Sequence, residues 1–169
     1  MKSRPSIIAF ALLSCFMMGG RAWDKDIASS IIYEVPTLSG EIDTDGRLLE
    51  QSWSDACIIK DFYRTESSRP ASINARALAF YDGESLVLGF DLPAMVSDNE
   101  PKPCFLSDEL DLRRVPNLTV TIDPGHQHGV YYKFVVDSRG QRQDLRVDDE
   151  SWAIPWSCGT VQENGRFCA

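Results

Sequence analysis

The chain has 169 residues, with 17 basic and 25 acidic side chains, a formal net charge of −8 at neutral pH and five cysteines. That balance repels phosphate backbones and anionic headgroups, which disfavours nucleic acid and anionic membrane surfaces as partners. The length suits one domain with its own core.

Residues 1–22 read as a secretory leader. "MKSR" is basic, "SIIAFALLSCFMMGG" is apolar, and Gly20 and Ala22 supply small residues at −3 and −1 before Trp23. The apolar run is short for a membrane span, which needs about 20 residues. "LLSC" loosely resembles a lipoprotein box ending at Cys15, but apolar residues continue past it. Cleavage near Ala22 removes Lys2, Arg4 and Arg21, so 17 basic residues fall to 14 against 25 acids and −8 becomes −11. The expectation is a protein secreted, or delivered to the periplasm or cell surface, with no membrane insertion after cleavage. Residues 23–169 form its domain and retain Cys57, Cys104, Cys158 and Cys168. An even set in an exported chain predicts up to two structural disulfides, in any of the three pairings that four cysteines permit.

Strand signals dominate the rest. "SIIYEVPTL" (30–38) is β-branched and predicts a strand. "RLLEQSWSDA" (47–56) holds the one helical signal, directly after the turn residues Asp45-Gly46. "ASINARALAFYDGESLVLGFDL" (71–92) predicts a hairpin turning at Asp82-Gly83. Residues 94–115 make a long connection rich in acids, including Asp98, Glu100, Asp108, Glu109 and Asp111, which suits a functional loop or a solvated surface segment. In "NLTVTIDP" (117–124), Leu118, Val120 and Ile122 alternate with polar residues, predicting one buried and one wet face. "GVYYKFVVDSRGQRQDLRV" (129–147) predicts a second hairpin turning at Ser138-Arg139-Gly140. Short strands punctuated by turns predict an all-β, antiparallel β-sandwich.

Four motifs in order resemble the family 9 carbohydrate-binding modules, within the DOMON-like β-sandwiches. "DGRLLEQSW" looks like D-G-x-x-D-E-x-x-W, and "YDGESLVLGFDL" is similar to Y-D-x-x-x-L-Y-V-x-F. "LTVTIDPG" resembles V-E-V-F-I-D-P, and "YYKFVVDSRG" resembles Y-Y-Q-F-x-V-N-x-x-G. The resemblance runs from Asp45 to Gly140. It implies a noncatalytic module that binds polysaccharide or oligosaccharide for a secreted polysaccharide-acting protein, such as a glycoside hydrolase. It also implies that "RLLEQSW" is a plug whose Trp53 packs onto the end of the sandwich, with Glu50 bonding backbone or a cation. "ENGRFCA" is similar to the start of a further family strand, which predicts a chain lacking its last strands. The sequence departs from the family where W-x-x-D-x-V-E is replaced by "RRVPNLT". Arg113, Pro116 and Thr119 stand where a stacking ring and two carboxylates are usual, and a second family aromatic would lie beyond Ala169.

The candidate sugar-contacting residues are therefore Trp152, Trp156 and Tyr131, with Tyr63, Arg113 and Thr119. Rings stack on pyranose C–H groups while polar groups fix hydroxyls. The competing role for Trp152 and Trp156, in "DDESWAIPWSCG" (148–159), is to cover the core. The resemblance also implies calcium, for which Asp43, Asp45 and Glu50, or Asp148, Asp149 and Glu150, offer oxygens. His126 and His128 form an H-x-H pair that suits zinc or copper but lacks a third ligand, so a polar loop is the expectation. No G-x-S-x-G, H-E-x-x-H or phosphate-cradling glycine loop occurs, and nothing points to catalysis. The alternatives are a haem-binding DOMON-like electron-transfer domain, with Met95 or Lys133 as axial ligands, and a structural surface module without a small ligand.

Overall fold

The computed structural model describes residues 11–13, 33–64, 69–94, 117–124, 129–137, 139–149 and 151–169. Among these residues nine strands occur in chain order: β1 (Ala11–Leu13), β2 (Cys57–Ile59), β3 (Arg76–Tyr81), β4 (Leu86–Pro93), β5 (Asn117–Ile122), β6 (Tyr132–Asp137), β7 (Arg142–Arg146), β8 (Val161–Glu163) and β9 (Arg166–Cys168). They form two antiparallel sheets, ordered β1-β5-β6-β7 and β2-β3-β4-β9-β8. The backbone of β1, inside the expected leader, pairs with the outer edge of β5 through Leu13 opposite Val120 and Ala11 opposite Ile122. The all-β expectation is met. Among the described residues the only helical element is one 3₁₀ turn, Gln51–Asp55.

Both predicted hairpins form, and their turns explain their registers. After β3, Asp82 Oδ1 accepts the N–H groups of Glu84 and Ser85, and Gly83 takes a φ of +107°. That four-residue turn sets Tyr81 opposite Leu86 and, at the far end, Arg76 opposite Asp91. After β6, the buried Asp137 accepts the N–H groups of Arg139 and Gln141, and Gly140 has a φ of +78°. The chain's last described strands form a tighter hairpin through Asn164 and Gly165, and β9 then pairs with β4. The predicted strand at 30–38 differs. Its described part, 33–38, makes only a parallel bridge at Thr37 opposite Tyr81. Pro36 has no N–H to donate, so the backbone bonds to β3 are those of its carbonyl and the Leu38 N–H, and the Tyr33 hydroxyl adds a bond to Asp61 Oδ2 at 2.6 Å.

The sheets face each other through one core. Ala77, Phe90 and Phe167 from one sheet meet Leu118, Val120 and Val136 from the other. Alternation along each strand places these residues on a common side, with Phe167 wholly enclosed. Burying one such phenyl ring contributes about 2–3 kcal/mol. The opposite side of β5 and β6 is drier than the alternation predicted, since Thr119 and Val135 are buried as well.

A second cluster lies on the outer face of the five-stranded sheet. Trp53, Leu78 and Phe80 pack there with Leu38, Ile42, Leu48 and Val87. The plug expected at an end of the sandwich thus sits on a sheet face. Trp53 is 7 % exposed, and its ring centre is 5.7 Å from that of Phe80. Its Nε1–H donates to Glu50 Oε2 at 2.9 Å, while Glu50 Oε1 accepts the Asp43 N–H at 3.0 Å. The preceding turn is fixed by backbone against backbone. A Cβ on Gly159 would come within 2.3 Å of Thr44 O, and one on Gly46 within 2.6 Å of Thr160 N.

Candidate functional site

The plug covers only half of that outer face. The other half is an open groove of about 540 Å³ lined by Ile58, Lys60, Ile73, Asn74, Ala75, Arg76, Asp91 and Arg166. Strand register builds it. Arg76 on β3 opposes Asp91 on β4, Asp91 opposes Cys168 on β9, and Arg166 lies two residues before Cys168 on the same side.

Asp91 organises the floor. Its Oδ2 accepts Arg76 Nε–H at 3.1 Å and its Oδ1 accepts Arg166 Nε–H at 2.7 Å. Arg166 continues with Nη2 to the Asp91 carbonyl at 3.0 Å and Nη1 to the Asn74 carbonyl at 2.7 Å. The side chains of Asp91 and Arg166 are largely covered, whereas that of Arg76 is 47 % exposed. The lining thus carries three cationic groups, Lys60, Arg76 and Arg166, against the single carboxylate of Asp91. Ile58 and Ile73 stand about two-fifths exposed beside these charges.

The floor is suited to holding a ligand. Both Asp91 oxygens are engaged by guanidinium N–H groups, charge-assisted bonds that fix the carboxylate in place. Cys168 lies next to it, with Sγ 3.9 Å from Asp91 Oδ1. Burial first, and then the negative charge of Asp91, push the Cys168 thiol above its usual range. It stays protonated at neutral pH, so no thiolate nucleophile is present.

The residues singled out from sequence lie elsewhere. Trp152 packs on Tyr132 and edge-on to Phe134, with ring centres 4.8 and 6.0 Å away. Trp156 meets Phe134 at 5.4 Å, donates Nε1–H to Asp144 Oδ1 at 3.1 Å, and carries the Arg142 guanidinium 5.5 Å from its ring centre. These contacts lay the two half-buried rings over the core side of β6 and β7. Tyr131 points with Lys133 to the opposite side, where the Lys133 ammonium sits 5.3 Å from the Tyr131 ring centre. Thr119 is buried and donates its hydroxyl to Asn117 Oδ1 at 2.9 Å. Trp152, Trp156, Tyr131 and Thr119 therefore do not converge on one surface. Tyr63 is exposed beyond β2, in a bridge to Pro70. Arg113, Met95, His126, His128, Glu150 and the 95–116 connection lie outside the described residues.

The calcium set is likewise engaged by the protein itself. Asp45 Oδ1 accepts the Arg47 N–H at 2.7 Å, and both Glu50 oxygens are held as described. Its own backbone N–H, then that of Asp43 and the Trp53 indole, hold the Glu50 carboxyl below its usual range. Among the described residues no group of three or more His, Cys, Asp or Glu is placed to hold a metal ion. Cys57, Cys158 and Cys168 are free thiols, none joined to another, and Cys104 lies outside the described residues. Of the up to two bridges expected from sequence, none is seen among these three described cysteines.

Sequence reading passed over Lys60, Arg76, Asp91 and Arg166. One signal was there. Given the Asp82-Gly83 turn, counting back along the hairpin pairs Arg76 with Asp91 directly. Arg166 carries no such signal, since β9 reaches β4 from far along the chain. Compared with protein-family models, curated proteins and solved structures, the chain matches none.

Proposed function

We propose that the chain is a noncatalytic carbohydrate-binding module, exported by its leader, which holds a saccharide in the groove beside the Trp53 plug. The family 9, DOMON-like kinship suggested by the four ordered motifs supports this reading of the sandwich. Export favours it too, because polysaccharide is an abundant ligand outside the cell. The groove is the observation that carries it. Guanidinium N–H groups and the Asn74 side chain on a rigid floor match sugar hydroxyls, while Ile58 and Ile73 offer apolar surface to ring C–H groups. Openness suits a polymer, which an enclosed cavity would exclude.

Calorimetric titration of the full chain with a panel of soluble oligosaccharides tests this. Binding by at least one sugar, weakened about tenfold or more in Arg76→Ala, is the expected result. Silence across the panel contradicts it and leaves a structural surface module.

A further inference from the structure

The two arginines of the groove differ in what they leave available. Arg166 is engaged at Nε, Nη1 and Nη2 and acts as part of the floor. Arg76 gives only Nε–H to Asp91, and its two terminal nitrogens make no hydrogen bond with a described residue. They form a planar fork on a half-exposed side chain that Asp91 orients from behind. Lys60 lines the same groove, and its ammonium makes no ion pair or hydrogen bond with a described residue.

Charge sharpens the point. Three cations against one carboxylate leave a local excess of about two positive charges, in a chain whose formal charge is −8. General basicity does not account for this excess. A neutral sugar would leave it uncompensated, whereas a carboxylate fits the two-nitrogen fork with parallel N–H···O bonds and takes a second charge from Lys60.

Resting on the saccharide-binding reading above, we propose that the groove recognises an acidic sugar, a hexuronate unit of an oligosaccharide. Its carboxylate is received by Arg76 Nη1 and Nη2 with Lys60 alongside, and its ring C–H face lies on Ile58 and Ile73. The apolar pair favours a sugar ring over a bare anion. The chain's overall negative charge opposes a polyanion lying across the whole molecule, so one acidic unit is engaged at a time.

The test is calorimetric titration of the full chain with four probes: trigalacturonic acid, its methyl ester, the neutral cellotriose and triglutamate. The uronate is expected to bind at least about tenfold more tightly than the other three, with an affinity that falls as salt is raised. Arg76→Lys, which keeps charge but loses the fork, and Lys60→Gln each weaken uronate binding severalfold, while Arg47→Ala outside the groove leaves it unchanged. Lys60 is exposed, so its variant remains informative if Arg76→Lys folds poorly. Equal binding of cellotriose overturns the acidic-sugar proposal and leaves the saccharide reading standing. Equal binding of triglutamate shows a site for anions of any kind and overturns the sugar assignment. No binding by any probe overturns the proposal, and the wider neutral panel then decides the saccharide reading.

Discussion

The indole of Trp53 occupies the space that a side chain at position 89 would fill. A Cβ on Gly89 would lie 2.9 Å from Trp53 Cη2 and 2.8 Å from Leu48 Cδ2. The glycine in the middle of β4 is thus the seat of the plug, and the two residues form one device. Gly89→Ala is expected to destabilise the protein by about 1–3 kcal/mol, because neither neighbour can yield without disturbing the cluster. Trp53→Ala should lose about 3–5 kcal/mol. Urea denaturation checks both, and a combined variant that loses less than the sum confirms that they act together.

Glu50 gives this plug a pH dependence. Its carboxyl lies below the ordinary value of 4.5 because four N–H donors, its own backbone N–H first, favour the charged form. A depressed folded-state value means stability that is present above the unfolded value and lost as pH falls through the folded one. Unfolding measured from pH 7 to 3 should show wild type losing more stability than Glu50→Gln on the acid side of 4.5. Parallel profiles would remove Glu50 from this role.

Gly159 is the more stringent glycine. A side chain there would press backbone against backbone at Thr44 O and Asp45 C, each 2.3 Å away, where no rotamer change gives relief. Gly159→Ala is expected to cost about 3 kcal/mol or more and to reduce soluble yield. Thermal melting beside Gly83→Ala is a useful comparison. Gly83 meets nothing within 4 Å, so its change reflects backbone conformation alone.

The hairpins were legible because their turns are local. Asp82-Gly83 and Arg139-Gly140 announce themselves, and alternation then assigns the core side of β5 correctly, whereas the apolar residues of β6 fall on both of its sides and name neither as the core. The seat of Trp53 was misplaced since nothing near residue 53 names Gly89 as its partner, although a glycine inside "LVLGFDL" hints at a close approach. Trp152 and Trp156 drew attention as rings among acids. Their neighbours Phe134, Tyr132 and Asp144 come from β6 and β7, and only folding reveals what the rings pack against. The groove was missed for the reverse reason. Its charges lie on four separate segments that become one surface through the β2–β3, β3–β4 and β4–β9 pairings.

The cysteines allow a direct chemical check. Burial is the main cause raising the Cys57, Cys158 and Cys168 thiols, so each is expected to alkylate slowly at neutral pH in the native protein and faster once unfolded. In denaturant without reductant, at least two of these three should be modified, as read by peptide mass spectrometry. Modification of none of the three would contradict the free-thiol arrangement.

The central claim is that ligand enters beside Arg76 and not at the tryptophans of the 151–160 segment. A ¹H–¹⁵N titration of the full chain with trigalacturonic acid tests it most directly. Shifts are expected to gather at Ile58, Lys60, Ile73, Asn74 and the Arg76 side chain, while the indole signals of Trp152 and Trp156 stay in place. Shifts centred on those two indoles with the groove silent would contradict it.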